Sequence, residues 1–243
     1  MRRFKNLRLY TIIMKISAGS EILDELLEGG YESDIINTIY GPAGSGKTLF
    51  GLMALIGVVK DLKKKVIYID TEGGFSVERM KQLREDYKEI LENVIFLKPV
   101  SFEEQKDAFE KLKDVINDKI GLVIVDTVSM LYRLEMGKTD DVYEVNKELG
   151  QQLGYLSEIA RKKNIPVLIT NQVYADFENK DQVKIVGGDL LRYGSKCMIE
   201  LLNGHGGVRK VVLKKHRSIM PDKEVTFRII DKGIVSVKDF ILL

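Results

Sequence analysis

Between Gly41 and Thr48 the chain reads GPAGSGKT, eight residues that satisfy the phosphate-loop pattern G-x-x-x-x-G-K-[ST]. An apolar run, INTIY, leads into it and a second, TLFGLMALIGVV, leads out, so the glycines fall where a strand turns directly into a helix. Such a turn curls backbone N–H groups around phosphate oxygens and sits at the positive end of the helix dipole. The expected site comprises Gly41, Pro42, Ala43, Gly44, Ser45, Gly46, Lys47 and Thr48, with Leu49 opening the helix. Lys47 would reach the β- and γ-phosphates and Thr48 would offer a hydroxyl to Mg²⁺. ATP and Mg²⁺ are therefore the expected cofactors. The alternative is an ordinary glycine-rich turn.

Around this motif, Val/Ile-rich runs alternate with helical patterns. DIINTIYG, KKVIYID, NVIFLK, GLVIVD and IPVLITN read as strands. Residues 141–163 read as an amphipathic helix whose buried stripe is Val142, Val145, Leu149, Leu153, Leu156, Ile159 and Ala160. The alternation calls for a mostly parallel α/β sheet flanked by helices on both faces. After residue 195 the pattern becomes strands only (SKCMIELL, VRKVVLKK, EVTFRIID, GIVSVK), which predicts an antiparallel C-terminal extension.

Composition sets limits. With 243 residues, 44% of them apolar, the chain can bury one sizeable core without disulfides. The lone Cys197 lies in the apolar run KCMIELL and is expected to be a buried, reduced thiol. The apolar run LFGLMALIGVV is too short to cross a bilayer, so no membrane association is expected and a cytoplasmic location is. Thirty-eight basic against thirty-six acidic residues leave a net charge of +2, so any argument for a polyanionic partner has to be local. One local run invites it. GGVRKVVLKKHRSIMP, residues 206–221, holds Arg209, Lys210, Lys214, Lys215 and Arg217 without a carboxylate.

Three further strand ends carry chemistry. Asp126 closes GLVIVD, where a carboxylate meets bound Mg²⁺. Asp70 and Glu72 follow the strand YID; Glu72 either polarises an attacking water or is a solvated strand end. Gln172 in LITNQVY either senses a γ-phosphate or caps a turn.

LDELLEGGYESDIINTIYGPAGSGKT, YIDTEGGFSVERM, LVIVDTVSMLYR, NIPVLITNQVY and GGDLLRYGSKCMIEL, in this order and spacing, resemble the ATPase core of RecA-type recombinases, above all their archaeal and eukaryotic branch. The resemblance spans residues 20 to about 237 and fits the short archaeal paralogues that lack a helical DNA-binding domain ahead of the core. It implies a RecA-like fold and slow Mg²⁺-dependent ATP hydrolysis. It makes Glu72 the catalytic glutamate beside Lys47, Gln172 the γ-phosphate sensor and Arg79 the residue packed on adenine. It also implies DNA, single-stranded or branched, as partner, in an accessory role in recombination and repair. The main archaeal recombinase, a Holliday-junction resolvase and a second copy of the chain are the implied protein partners.

By the same resemblance, two DNA loops are expected. One is Tyr132 to Asp141, with Arg133 and Lys138 suited to phosphate; the other is Tyr174 to Val186, with Lys184 and a stacking Phe177. Lys215 and Arg217 fall where bacterial relatives place a pair that reaches a neighbouring subunit's γ-phosphate; DNA phosphate and protection of a strand edge are the other readings. His216 and His205 read as surface histidines. Residues 1–19 form a basic segment expected to be disordered, with Met14 an alternative start, ahead of a core at 20–243. They contain no Phe-x-x-Ala handle of the kind that links recombinase subunits, which weighs against filament formation and strand exchange. The rival functional classes are a nucleotide-switched signalling module resembling KaiC, independent of DNA, and a P-loop kinase of a small molecule, against which Glu72 and Gln172 at strand ends without an arginine-rich lid weigh.

Overall fold

A computed structural model describes residues 14–175 and 183–240. In chain order the elements are β1 (Lys15–Ile16), α1 (Glu21–Leu26), β2 (Tyr31–Glu32), β3 (Ile36–Gly41), α2 (Lys47–Asp61), β4 (Lys65–Asp70), α3 (Val77–Leu83), α4 (Tyr87–Leu91), β5 (Val94–Leu97), α5 (Phe102–Val115) and β6 (Ile120–Asp126). They continue with α6 (Met130–Met136), α7 (Val142–Lys163), β7 (Val167–Ala175), β8 (Val183–Ile185), α8 (Gly188–Gly194), β9 (Cys197–Asn203), β10 (Val208–Lys215), β11 (Glu224–Ile230), β12 (Gly233–Ser236) and α9 (Val237–Phe240).

The central sheet runs β12-β11-β10-β9-β3-β7-β6-β4-β5, with β8 added to the end of β7. From β9 to β5 all neighbours are parallel; β10 to β12 continue the sheet antiparallel. This is the expected mostly parallel α/β architecture with its C-terminal extension. Every residue of β3 and β6 is buried, as strands covered on both faces must be. One apolar cluster lies on each face, the first around Phe50, Leu55, Tyr68 and Phe227, the second around Phe109, Val123, Leu156 and Ile169. Helix α2 is apolar on nearly all sides and threads the first cluster, which fixes the helix that follows the glycine-rich turn.

Local sequence sets the ends of the helices. Ser76, Ser101 and Asp141 accept from the N–H groups of Arg79, Glu104 and Glu144, capping α3, α5 and α7. The predicted stripe of α7 is buried except at Val142, which is 45% exposed because it opens the first turn. Met14 to Gly19, assigned by sequence to the basic segment, belong to the packed chain: β1 pairs with β2, Ala18 is fully buried, and Lys15 Nζ donates to Leu27 O at 2.8 Å. Residues 1–13 lie outside the described residues. Among the described residues no helix is long and apolar enough to cross a membrane.

The basic run finds its partners on other elements. Lys210 meets Glu224 at 2.9 Å and Lys214 meets Asp222 at 2.8 Å on the facing arm of the β10–β11 hairpin. Arg217 bridges Glu32 and Asp34, the latter at 2.7 Å. His216, expected at the surface, is instead buried: its side chain is 1% exposed, and Nδ1 accepts from the N–H groups of Ser218 at 3.2 Å and Ile219 at 3.1 Å. Nδ1 is therefore the unprotonated nitrogen.

Burial pushes the His216 pKa below its ordinary value of 6.5. The Glu32 and Glu28 carboxylates oppose that shift, whereas the Lys15 and Arg217 charges add to it. A lowered folded-state pKa means that stability is complete above pH 6.5 and is lost as pH falls through the unfolded value toward the folded one. The urea midpoint is expected to drop between pH 7.5 and pH 5, and His216→Asn, which keeps an acceptor at the δ position, should lose part of that dependence. Identical pH profiles for the two proteins would exclude His216 as the titrating group.

Candidate functional site

The site forms where β3 gives way to α2. Gly46 caps the helix with φ 107°, a left-handed conformation that a side chain would strain. The first bond of the helix joins Phe50 N–H to Gly46 O at 3.1 Å, so the N–H groups of Gly46, Lys47, Thr48 and Leu49 have no partner within the helix. At Gly41 the limit is space: a Cβ there would lie 2.4 Å from Leu201 O. Lys47 folds back over the loop, donating to Gly41 O at 2.8 Å and Pro42 O at 2.9 Å. Partial burial lowers its pKa, and the charges of Glu72 and Asp126 oppose the shift.

Strand register brings the other polar residues level with this loop. Gly41 on β3 pairs with Gln172 on β7, and Asp70 on β4 pairs with Asp126 on β6. Asp126, 3% exposed, accepts from Thr48 Oγ1 at 2.8 Å, from Tyr68 Oη at 2.7 Å and from Thr170 Oγ1. Burial pushes the Tyr68 pKa well up, and the Asp126 charge adds to the shift, so the phenol stays a donor. Glu72 Oε1 accepts from Gln172 Nε2 at 2.6 Å and Thr127 Oγ1 at 2.7 Å. Asp70 serves the backbone instead, accepting from Gly74 N–H at 3.0 Å and Phe75 N–H at 3.2 Å, and so shapes the turn that carries Glu72.

Loop and strand ends enclose a cleft of about 490 Å³, lined by Gly44, Lys47, Thr48, Glu72, Asp126 and Gln172 among others, a size suited to a nucleotide. The groups present fit Mg²⁺-ATP. Four N–H groups and a lysine are there for phosphate, and the Thr48 hydroxyl sits against a carboxylate. Among the described residues no three His, Cys, Asp or Glu side chains converge as a metal cage. The Thr48 hydroxyl beside the Asp126 carboxylate suits Mg²⁺, which takes few protein ligands and completes its shell with phosphate and water.

The remaining sequence-predicted residues are scattered. Arg133 is exposed on α6 and lines the same cleft instead of standing on a separate loop. The expected first loop is helical as far as Met136; Tyr132 is buried, with Oη donating to Asn146 Oδ1 at 2.7 Å. Lys138 pairs with Glu135 at 3.1 Å. The expected second loop is built on a β-hairpin, in which Val173 to Ala175 pair with Val183 to Ile185 and Lys184 is exposed. Phe177 lies outside the described residues. Arg79 donates to Ile230 O and to Gln82 Oε1, both at 2.7 Å, on the flank where Ile229 approaches Gly46. Lys215 Nζ donates to Arg192 O at 2.5 Å.

Sequence reasoning did not identify Tyr68, Thr127 or Thr170 as parts of the site. For Tyr68 and Thr170 a signal existed: polar atoms in strands covered on both faces need partners. Tyr68→Phe is expected to cost about 1–3 kcal/mol by withdrawing a donor from a buried carboxylate, read as a lowered urea midpoint. An unchanged midpoint would show that the bond from Tyr68 Oη to Asp126 adds nothing to stability.

Residues 10–237 match the Rad51 family model. Among curated relatives, the DNA repair and recombination protein RadB of Methanobrevibacter smithii is 42% identical over 228 residues, covering 91% of this chain and 95% of its own length. RadB of Pyrococcus abyssi is 40% identical over 228 residues, covering 92% and 95%. A crystal structure of the RadB recombinase superposes with a TM-score of 0.79 at 36% identity, covering 91% of this chain and 99% of that one.

Proposed function

The chain belongs to the Rad51 family, and from that premise we propose that it is a Mg²⁺-dependent ATPase acting as a DNA-binding accessory of recombination and repair. The observation that carries the proposal is the bond of 2.6 Å between Glu72 and Gln172. It joins the residue best placed to act on water to the strand that leads into the β7–β8 hairpin.

In this reading the N–H groups of Gly46 to Leu49 and the Lys47 ammonium hold the phosphates, and Thr48 and Asp126 hold Mg²⁺. Bound Mg²⁺ would supply charge stabilisation for phosphoryl transfer. Glu72 Oε1 is occupied by Gln172 and Thr127, which leaves Oε2 to accept a proton from water. Gln172 can exchange its bond to Glu72 for one to a γ-phosphate oxygen and thereby move the hairpin. Arg79 borders the adenine.

Lys47→Ala should abolish or severely weaken ATP binding with the fold intact, since the side chain contributes charge to phosphate and nothing to the core. Unchanged affinity in a calorimetric titration sinks the phosphate site. Glu72→Gln should keep ATP and lose most turnover, because it removes a base and preserves shape; normal hydrolysis by this variant removes Glu72 from the mechanism.

For DNA, the proposed contacts are Lys138 and Phe177, together with Lys184 on β8 of the hairpin and Arg133 at the cleft rim. Lys215 is the better cross-subunit cation of its pair, because Arg217 is already engaged by Glu32 and Asp34. Binding to single-stranded DNA should weaken linearly on a log–log plot against salt, and Arg133→Ala or Lys184→Ala should each flatten the slope by up to about one ion. Binding indifferent to salt favours the DNA-independent, KaiC-like switch.

A further inference from the structure

Two side chains that nothing above uses touch the outside of the phosphate loop. Asn203 ends β9 and Arg209 lies near the start of β10; they are direct cross-strand partners, so their side chains stand next to each other on one face of the hairpin. Asn203 Nδ2 donates to Ala43 O at 3.2 Å, and Arg209 Nε donates to Gly44 O at 3.2 Å. These carbonyls belong to consecutive residues at the crest of the loop.

The carbonyl positions matter because a peptide unit cannot turn its N–H inward without turning its C=O outward. A loop that curls its N–H groups around an anion therefore presents its carbonyls on the convex side. The donors that meet them are themselves held. Arg209 Nη1 donates to Gly207 O at 3.0 Å, Arg228 Nη1 donates to Gly206 O at 2.8 Å, and Gly204 N–H closes the turn on Val208 O at 2.9 Å. The turn is tied to β10 and β11 from both sides, and β9 pairs directly with β3, the strand that ends in the loop.

We propose that Asn203 and Arg209 are positioning residues of the phosphate loop: Asn203 holds the Ala43 carbonyl outward, which turns the Gly44 N–H of the same peptide unit toward the cleft, and Arg209 holds the Gly44 carbonyl, whose peptide partner, the Ser45 N–H, closes on Pro42 O at 3.3 Å, so that the crest keeps its curl before nucleotide arrives. The first cation of the basic run then acts on the loop backbone and not on a phosphate. This reading deepens the proposed ATP site and gives the antiparallel extension a role in it.

Arg209→Gln supplies the decisive contrast. The glutamine Nε2 sits at the same distance along the side chain as the arginine Nε, so it keeps a donor for Gly44 O while removing the charge. Arg209→Leu removes both, and Asn203→Ala removes the other donor. Amide hydrogen exchange of Ser45, whose N–H closes on Pro42 O at 3.3 Å, should speed up several-fold in nucleotide-free Asn203→Ala and Arg209→Leu, with unchanged urea midpoints, and stay near wild type in Arg209→Gln. Calorimetric dissociation constants for Mg²⁺-ATP and Mg²⁺-ADP should both rise roughly three- to tenfold in the first two variants, the scale of one lost hydrogen bond. Their ratio should stay fixed, since the crest serves phosphates common to both.

Unaltered exchange in Asn203→Ala and Arg209→Leu overturns the proposal. So does a pattern in which Arg209→Gln is as weak as Arg209→Leu while Arg209→Lys binds normally, because that identifies a phosphate contact made by charge. If the wild-type protein binds no nucleotide, the ATP reading fails, and the exchange measurement still decides whether the hairpin holds the loop.

Discussion

The carboxylate of Asp126 is the interaction on which the arrangement of the site depends. It is buried at the end of β6, and an ionised group in that position is tolerated only if its lone pairs are filled. Three hydroxyls fill them, from Tyr68 on β4, Thr170 on β7 and Thr48 on α2. One carboxylate thus ties two neighbouring strands of the sheet to the first turn of the phosphate-loop helix. A second bridge lies beside it, where Glu72 joins Thr127 to Gln172. Because parallel register brings Gly41 level with Gln172 and Asp70 level with Asp126, these bonds form across strand ends and not within one loop.

The antiparallel extension complements this arrangement from the other side of β3. Its cations are spent mainly on its own structure: Lys210 and Lys214 join the arms of a hairpin, and Arg217 fastens the end of the run to Glu32 and Asp34. Exposed pairs of this kind each contribute little to stability. Glu32, 2% exposed, is different, since a buried carboxylate without Arg217 and Ser218 would be costly. The run therefore fixes where β10 ends, and with it the position of the hairpin that meets the phosphate loop.

Much of this was legible in the sequence because period and spacing encode it. The strand-to-helix position of GPAGSGKT marked the candidate site, and Val/Ile runs that end at or lead to Asp126, Glu72 and Gln172 placed these polar groups at one end of the sheet. What could not be read were contacts that pair residues far apart in the chain. Arg217 meets Glu32 across 185 positions, so a stretch without local carboxylates looked unpartnered when it was not. His216 was misplaced for the same reason: its burial comes from β2 and the turn after β10, which no local pattern announces. Arg133 looked like a loop residue because the helical turn of α6 is too short to show periodicity, and the donors Asn203 and Arg209 become visible only once β9 is seen beside β3.

In the proposed function the bond between Glu72 and Gln172 links the nucleotide cleft to the β7–β8 hairpin. The test is amide hydrogen exchange across Val173 to Ala175 and Val183 to Ile185 in the wild-type protein, measured with Mg²⁺ and a non-hydrolysable ATP analogue, with Mg²⁺-ADP and without nucleotide. The ATP analogue should alter protection of this ladder while ADP leaves it at the nucleotide-free level, and Gln172→Ala should remove the difference. Equal protection under the ATP analogue and ADP, with both nucleotides bound, would contradict that link.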